Sequence, residues 1–148
     1  MKITGRERWM LIGAIIAAII ILKIITPEVY HGYDAGFYRA MAQRPFAGDP
    51  QTSTAPYSYR ILAPWFIHLF PLQTETAFAL YNTFLYGCSA YLLFFLIFTA
   101  SGSRLGAGMG VFFFLSSWVS LRFSLFYPIH IDGTYYFILI LAFYSLLK

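Results

Sequence analysis

The segment from residue 31 to residue 46, HGYDAGFYRAMAQRPF, combines ionisable and aromatic side chains that could support acid–base chemistry. Asp34 and Tyr38 are four residues apart, so they share one face of a helix. A carboxylate flanked by aromatic side chains could act as a general base or help to hold a divalent cation. His31 lies beside it in sequence. The ordinary alternative is that Asp34 lies near a helix N-terminus, where a carboxylate is favourable.

A second acidic group, Asp132, follows His130 in the turn-like sequence PIHIDG. Asp132 and Gly133 are typical of a turn in which the aspartate starts the next helix. The functional alternative is that Asp132 reaches the same cleft as Asp34. Two carboxylates and a histidine could bind a metal ion, but a close spacing such as HxxxH is missing, so the sequence indicates a divalent cation only weakly.

Two arginines could bind an anionic group. Arg60 belongs to the sequence YSYR, which begins with Tyr57, and Arg122 lies within an apolar stretch. An arginine in the middle of a membrane costs ~2.5–3.5 kcal/mol on insertion scales. Such a residue either extends to the interface or has an anionic partner, and a lipid phosphate suits the guanidinium fork.

The composition indicates an integral membrane protein. Of the 148 residues, 59% are hydrophobic and only 11% are charged, whereas soluble domains have about a quarter charged residues. The net charge of +4 is spread along the chain without a basic run, so nucleic acid is not an expected partner. A single cysteine excludes a disulfide framework within the chain.

The hydropathy pattern predicts an all-α, polytopic helical bundle forming one module over residues 1–148. The four predicted transmembrane helices cover about residues 9–26, 76–100, 111–127 and 134–148. Residues 27–75 form a predicted outer loop, in which residues 33–42 and 57–72 are expected to be helices lying parallel to the membrane. The glycine-rich residues 101–110 are predicted to form a turn that permits close helix approach.

The basic residues predict the orientation. One predicted side of the membrane carries most of them and is expected to be cytoplasmic, together with the N-terminus: Lys2, Arg6, Arg8, Arg104 and Lys148. The long loop and the turn before Asp132 then share the outer face. The chain's candidate acid–base residues therefore fall on one side.

Three stretches together resemble the N-terminal part of the GT-C-type polytopic membrane glycosyltransferases and their bacterial relatives. They are GYDAGFYRAMAQRPF, YSYRILAPWF and IDGTYYF, and the resemblance covers about residues 9–140. Within the second stretch, Tyr57, Arg60, Leu62 and Pro64 match a Tyr-x-x-Arg-x-Leu-x-Pro run of these relatives.

The resemblance implies transfer of a sugar from a polyprenyl-phosphate donor to an extracytoplasmic acceptor, in a bacterial inner membrane. Asp34 then occupies the place of the catalytic base or metal-linked residue, and Asp132 is a further acidic position on that face. Arg60 or Arg122 would neutralise the departing lipid phosphate. The other substrate-binding candidates are His31, Tyr38, Tyr57 and His130.

Members of this superfamily commonly have more spans than the four predicted here, so the chain is expected to be the N-terminal part of a longer protein. The alternative is a non-enzymatic membrane subunit or lipid-binding remnant of such a protein, working with a larger membrane partner. A small transporter is a weaker alternative, because the charged residues lie at the predicted interfaces and paired broken helices are not evident.

Overall fold

The computed structural model describes residues 3–25, 35–45, 62–117 and 132–147, the side chain of Asp132 excepted. These residues form six helices and no strand, which confirms the all-α prediction. In chain order the helices are α1 (Gly5–Ile25), α2 (Ala35–Gln43), α3 (Leu62–His68), α4 (Thr74–Ser101), α5 (Arg104–Ser116) and α6 (Asp132–Leu146).

Two of the described helices are long and apolar enough to cross a membrane. They are α1 with 21 residues and α4 with 28. At ~1.5 Å per residue they measure about 31 and 42 Å, against a hydrocarbon core of about 30 Å. Helices α5 and α6, with 13 and 15 residues, are apolar but shorter than that core.

The central helix of the described fold is α4, which packs against each of the other five. At one end of the bundle, Glu7 of α1 pairs with Arg104 of α5 at 2.7 Å. Helix α5 then runs back along α4, and the Tyr86 hydroxyl donates a hydrogen bond to the Leu115 carbonyl at 2.6 Å. This bond satisfies a carbonyl in the last turn of α5, which has no partner within the helix.

The connection between α4 and α5 is shorter than the sequence predicts. Gly102 ends α4 in a left-handed conformation with φ 67°, and the Ser103 side chain accepts a hydrogen bond from the Gly106 N–H at 3.0 Å. Helix α5 therefore begins at Arg104, within the stretch predicted as a turn, and ends at Ser116, before the predicted end at residue 127. An N-terminal serine cap outweighs the low helix propensity of the glycines.

One of these glycines permits close helix packing. A Cβ atom at Gly110 would overlap the Cδ1 atom of Ile97 on α4, whereas Gly108 has no atom within 4 Å of its Cβ position. Small residues at such points let two membrane helices approach closely. The Ile97 side chain therefore occupies the space that a Cβ atom at Gly110 would need, and it must move if a larger residue replaces this glycine.

We expect the two glycines to respond differently to alanine. Gly108→Ala should raise the free energy of unfolding by about 0.5–1 kcal/mol through helix propensity. Gly110→Ala should not raise the free energy of unfolding in this way, because the Ile97 side chain must move to make room for the new methyl group. In an Ile97→Val background, which lacks the Cδ1 atom, Gly110→Ala should match Gly108→Ala. Unfolding in mixed micelles measures all three, and equal gains at both sites in the wild-type background would contradict the close contact.

Candidate functional site

The two ends of the described bundle carry different groups. Arg6, Arg8 and Arg104 lie at the end where α1 and α5 begin. Arg39 and Glu75 lie at the opposite end, where α2 meets the start of α4. Arg6, Arg8 and Arg104 thus lie at one end of the described bundle and Arg39 at the other, the separation that the sequence predicts for these arginines.

The end that contains the start of α4 is organised by a compact buried cluster, which we call the α2–α3–α4 cluster. Its members are at most 4% exposed and come from these three helices: Ala35, Tyr38, Met41, Ala42, Ala63, Ile67, Ala77 and Phe78. On α2 the buried residues recur at helical spacing, so α2 is the short amphipathic helix that the sequence predicts, with its apolar face on α3 and α4.

Helix α3 occupies part of the segment predicted at residues 57–72. Pro64 is its third residue and is fully buried. A proline is tolerated there because the first N–H groups of a helix have no partner within it. Pro64 therefore lies within the first turn of this helix and does not interrupt it.

Two polar contacts tie the short helices to their neighbours. The Arg39 guanidinium pairs with the Glu75 carboxylate at 2.6 Å, joining α2 to the first turn of α4. His68 Nδ1 lies 2.9 Å from the Ala42 carbonyl oxygen and therefore donates a hydrogen bond to the end of α2. The ion pair is more than one-third exposed on both sides, so it contributes at most about 1 kcal/mol and mainly fixes orientation.

Of the predicted site residues, only Tyr38 has a described side chain. It is fully buried in the α2–α3–α4 cluster, where it packs between helices, and a role in substrate binding stays a prediction. Asp132 is the first residue of α6, as the helix-start interpretation predicts. The other candidates lie outside the described residues: His31, Asp34, Tyr57, Arg60, Arg122 and His130.

The described structure nevertheless fixes the chain that follows each of the two carboxylates in sequence. Ala35, which follows Asp34, packs in the same cluster as Ala77 and Phe78 of α4. Thr134, two residues after Asp132, shares a hydrogen bond with the Tyr81 hydroxyl of α4 at 3.1 Å. The starts of α2 and α6 are therefore both attached to the first two turns of α4.

An aromatic cleft of about 270 Å³ lies beside these attachments. Phe66 of α3 and Tyr81 of α4 line it with ring centroids 5.4 Å apart, and Phe70 adds an edge-on ring 5.1 Å from Phe66. Within residues 3–25, 35–45, 62–117 and 132–147, no three His, Cys, Asp or Glu side chains group as metal ligands. The cleft can receive an apolar or ring-shaped group, and a divalent cation stays a prediction.

Sequence reasoning missed Glu75 and His68 as residues that hold this end together. Their partners are 36 and 26 residues away in the chain, so no local spacing signals either contact. Comparisons of the chain with models of protein families, with curated proteins and with solved structures give no match.

Proposed function

We propose that the chain is the membrane-embedded, N-terminal module of a GT-C-like glycosyltransferase. It transfers a sugar from a polyprenyl-phosphate donor to an extracytoplasmic acceptor in a bacterial inner membrane. In this proposal α5 and α6 belong to the third and fourth spans, the N-terminus is cytoplasmic, and α2 and α3 lie along the outer surface.

The proposal rests most on one observation, which is that α2 and α6 both start at the same two turns of α4. Ala35 belongs to the same buried cluster as Phe78, and Thr134 shares a hydrogen bond with Tyr81. Asp34 and Asp132 adjoin or begin these two helices in sequence, so this arrangement favours two acidic groups serving one site.

The proposed chemistry needs one base and one cation. The acceptor hydroxyl gives its proton to the Asp34 carboxylate while its oxygen forms a bond to the anomeric carbon of the sugar. The bond from that carbon to the phosphate oxygen breaks, and polyprenyl phosphate leaves. Arg60 or Arg122 stabilises the negative charge of the leaving phosphate. The aromatic cleft at Phe66 and Tyr81 suits the sugar ring or the first part of the prenyl chain.

The second candidate function is a non-enzymatic membrane subunit. The exposed apolar side chains of α6 favour it, since Ile138, Leu139 and Phe143 are all about half exposed. Such a surface suits lipid or a helix of a larger membrane partner equally.

The choice of donor separates the two candidates. The protein is purified from its own membranes, placed in phospholipid nanodiscs, and offered a panel of polyprenyl-phosphate sugars or the corresponding nucleotide sugars. We expect release of polyprenyl phosphate from at least one lipid-linked donor and no turnover of nucleotide sugars. Turnover of neither class, together with co-purification of a larger membrane protein, would instead support the subunit function.

A further inference from the structure

A groove of about 690 Å³ runs between α1, α4 and α6, away from the α2–α3–α4 cluster. We call it the α1–α4–α6 groove. Its walls are almost wholly apolar and include Ile16 and Ile20 of α1, Gly87 and Cys88 of α4, and Leu141 of α6. In a bundle whose longest helices can cross a membrane, such a groove opens towards the lipid.

The size of the groove suits one hydrocarbon chain. At about 30 Å³ for each water-sized group, it has room for roughly twenty methylene groups. The volume of the groove therefore matches one hydrocarbon chain, and the cationic side chain near one end is what distinguishes a phospholipid from a helix of a partner.

One end of the groove leads to a cationic side chain. Tyr91 lines the groove, and its ring centroid lies 4.9 Å from that of Phe95. The Arg8 guanidinium carbon stands 5.9 Å from the Phe95 ring centroid, and Ile12 of the groove wall follows Arg8 by one helical turn. Arg8 thus lies about one helical turn beyond the residues that line the groove, at the end of the bundle where α1 begins, and we call this end the mouth of the groove.

Arg8 is available to an anion. Within the described part of the chain, no carboxylate pairs with it, because neighbouring Glu7 pairs with Arg104 instead. The next residue, Trp9, is 74% exposed. A tryptophan beside an arginine at the end of an apolar helix is typical of the headgroup region of a membrane.

We propose that the α1–α4–α6 groove binds an acyl chain of an anionic bilayer phospholipid, whose phosphate lies on Arg8. The apolar walls select a hydrocarbon chain, and the cation at the mouth selects a negative headgroup. This lipid is distinct from the proposed sugar donor, because the groove mouth lies at the opposite end of the bundle from the starts of α2 and α6. The inference requires membrane insertion but not sugar transfer.

Native mass spectrometry tests the headgroup. The purified protein is equilibrated in micelles containing equal amounts of phosphatidylglycerol and phosphatidylcholine of the same acyl chains. We expect one bound phosphatidylglycerol per chain in clear excess over phosphatidylcholine. Arg8→Gln should reduce this excess about fivefold, the contribution of one basic residue near an anionic surface. Arg6→Gln makes the same charge change two residues away and should retain it.

A second pair of variants tests the groove itself. Ile16 is 52% exposed and lines the groove, so Ile16→Trp fills the groove without disturbing the buried core. We expect it to abolish the bound lipid, whereas Ile24→Trp, at a 70% exposed position outside the lining, should retain it. Three results would each overturn the proposal. The wild-type protein could bind phosphatidylglycerol and phosphatidylcholine equally, or Ile16→Trp could bind lipid as well as the wild type does. The third is a dimer of the wild-type chain that Ile16→Trp dissociates.

Discussion

Asp34→Asn is expected to reduce the proposed sugar transfer by about 10²–10⁴-fold, which is what a general base contributes. The amide has the shape of the carboxylate but cannot accept the acceptor's proton. The fold should survive, because α2 begins at the next residue, Ala35, and asparagine caps a helix N-terminus as well as aspartate does. The initial rate of polyprenyl-phosphate release in nanodiscs measures the first effect, and the thermal unfolding midpoint measures the second.

Asp49→Asn is the matched control for this prediction. It makes the same change of charge in the same predicted outer loop, so transfer should continue at the wild-type rate. Equal losses in both variants would mean that the net charge of the loop matters and not a base at Asp34. If Asp34→Asn transfers sugar at the wild-type rate, Asp34 is not the general base. This conclusion holds whether or not the donor is a polyprenyl-phosphate sugar.

The two long helices could be predicted because each contains a continuous apolar stretch long enough to cross a membrane. Hydropathy alone, however, misplaces the start of α1. The helix begins at Gly5 because Thr4 and Glu7 form a reciprocal capping box: the Thr4 N–H donates to Glu7 Oε2 at 2.8 Å, and the Glu7 N–H donates to Thr4 Oγ1 at 3.3 Å. The sequence TGRE contains this signal, but it lies outside the apolar stretch.

Helix α5 differs in the opposite way from α1, because it ends before its apolar stretch does. Apolar residues continue past Ser116, so hydropathy predicts a helix to residue 127, yet Ser117 has an extended backbone with φ −61° and ψ 126°. The long-range contact between Tyr86 and Leu115 lies near this end and is invisible to any local pattern. Hydropathy shows that a segment is apolar, but it does not show at which residue the backbone hydrogen bonds of the helix end.

For the candidate site, only the end of the bundle at which it lies could be predicted. Charge separation along the chain predicts that Arg39 and Glu75 lie away from Arg104, and the described structure agrees. The direct pairing of Arg39 with Glu75 depends on how α2 packs against α4. That packing is determined by the burial of Tyr38 and Phe78 in one cluster. The sequence pattern predicts which face of α2 is buried, but it does not predict which helix covers that face.

Phe78→Ala is expected to lower the free energy of unfolding by about 3–5 kcal/mol, the range for removing a buried phenylalanine from a packed core. Phe78 is fully buried in the α2–α3–α4 cluster, and apolar contacts there outweigh the exposed ion pair between Arg39 and Glu75. In a membrane protein this loss comes mainly from packing, because lipid is as apolar as the core. The midpoint of SDS-induced unfolding in mixed micelles measures it.

Phe84→Ala is the matched control, since Phe84 lies on the same helix and is 67% exposed. The same deletion there should change the free energy of unfolding by no more than about 0.5 kcal/mol. Phe78→Ala should also slow sugar transfer, because α2 loses its attachment to α4 and the segment that begins after Asp34 is no longer held. A Phe78→Ala variant as stable as Phe84→Ala would contradict the cluster. If Phe78→Ala lowers stability but leaves sugar transfer unchanged, the α2–α3–α4 cluster stabilises the fold without positioning the proposed site.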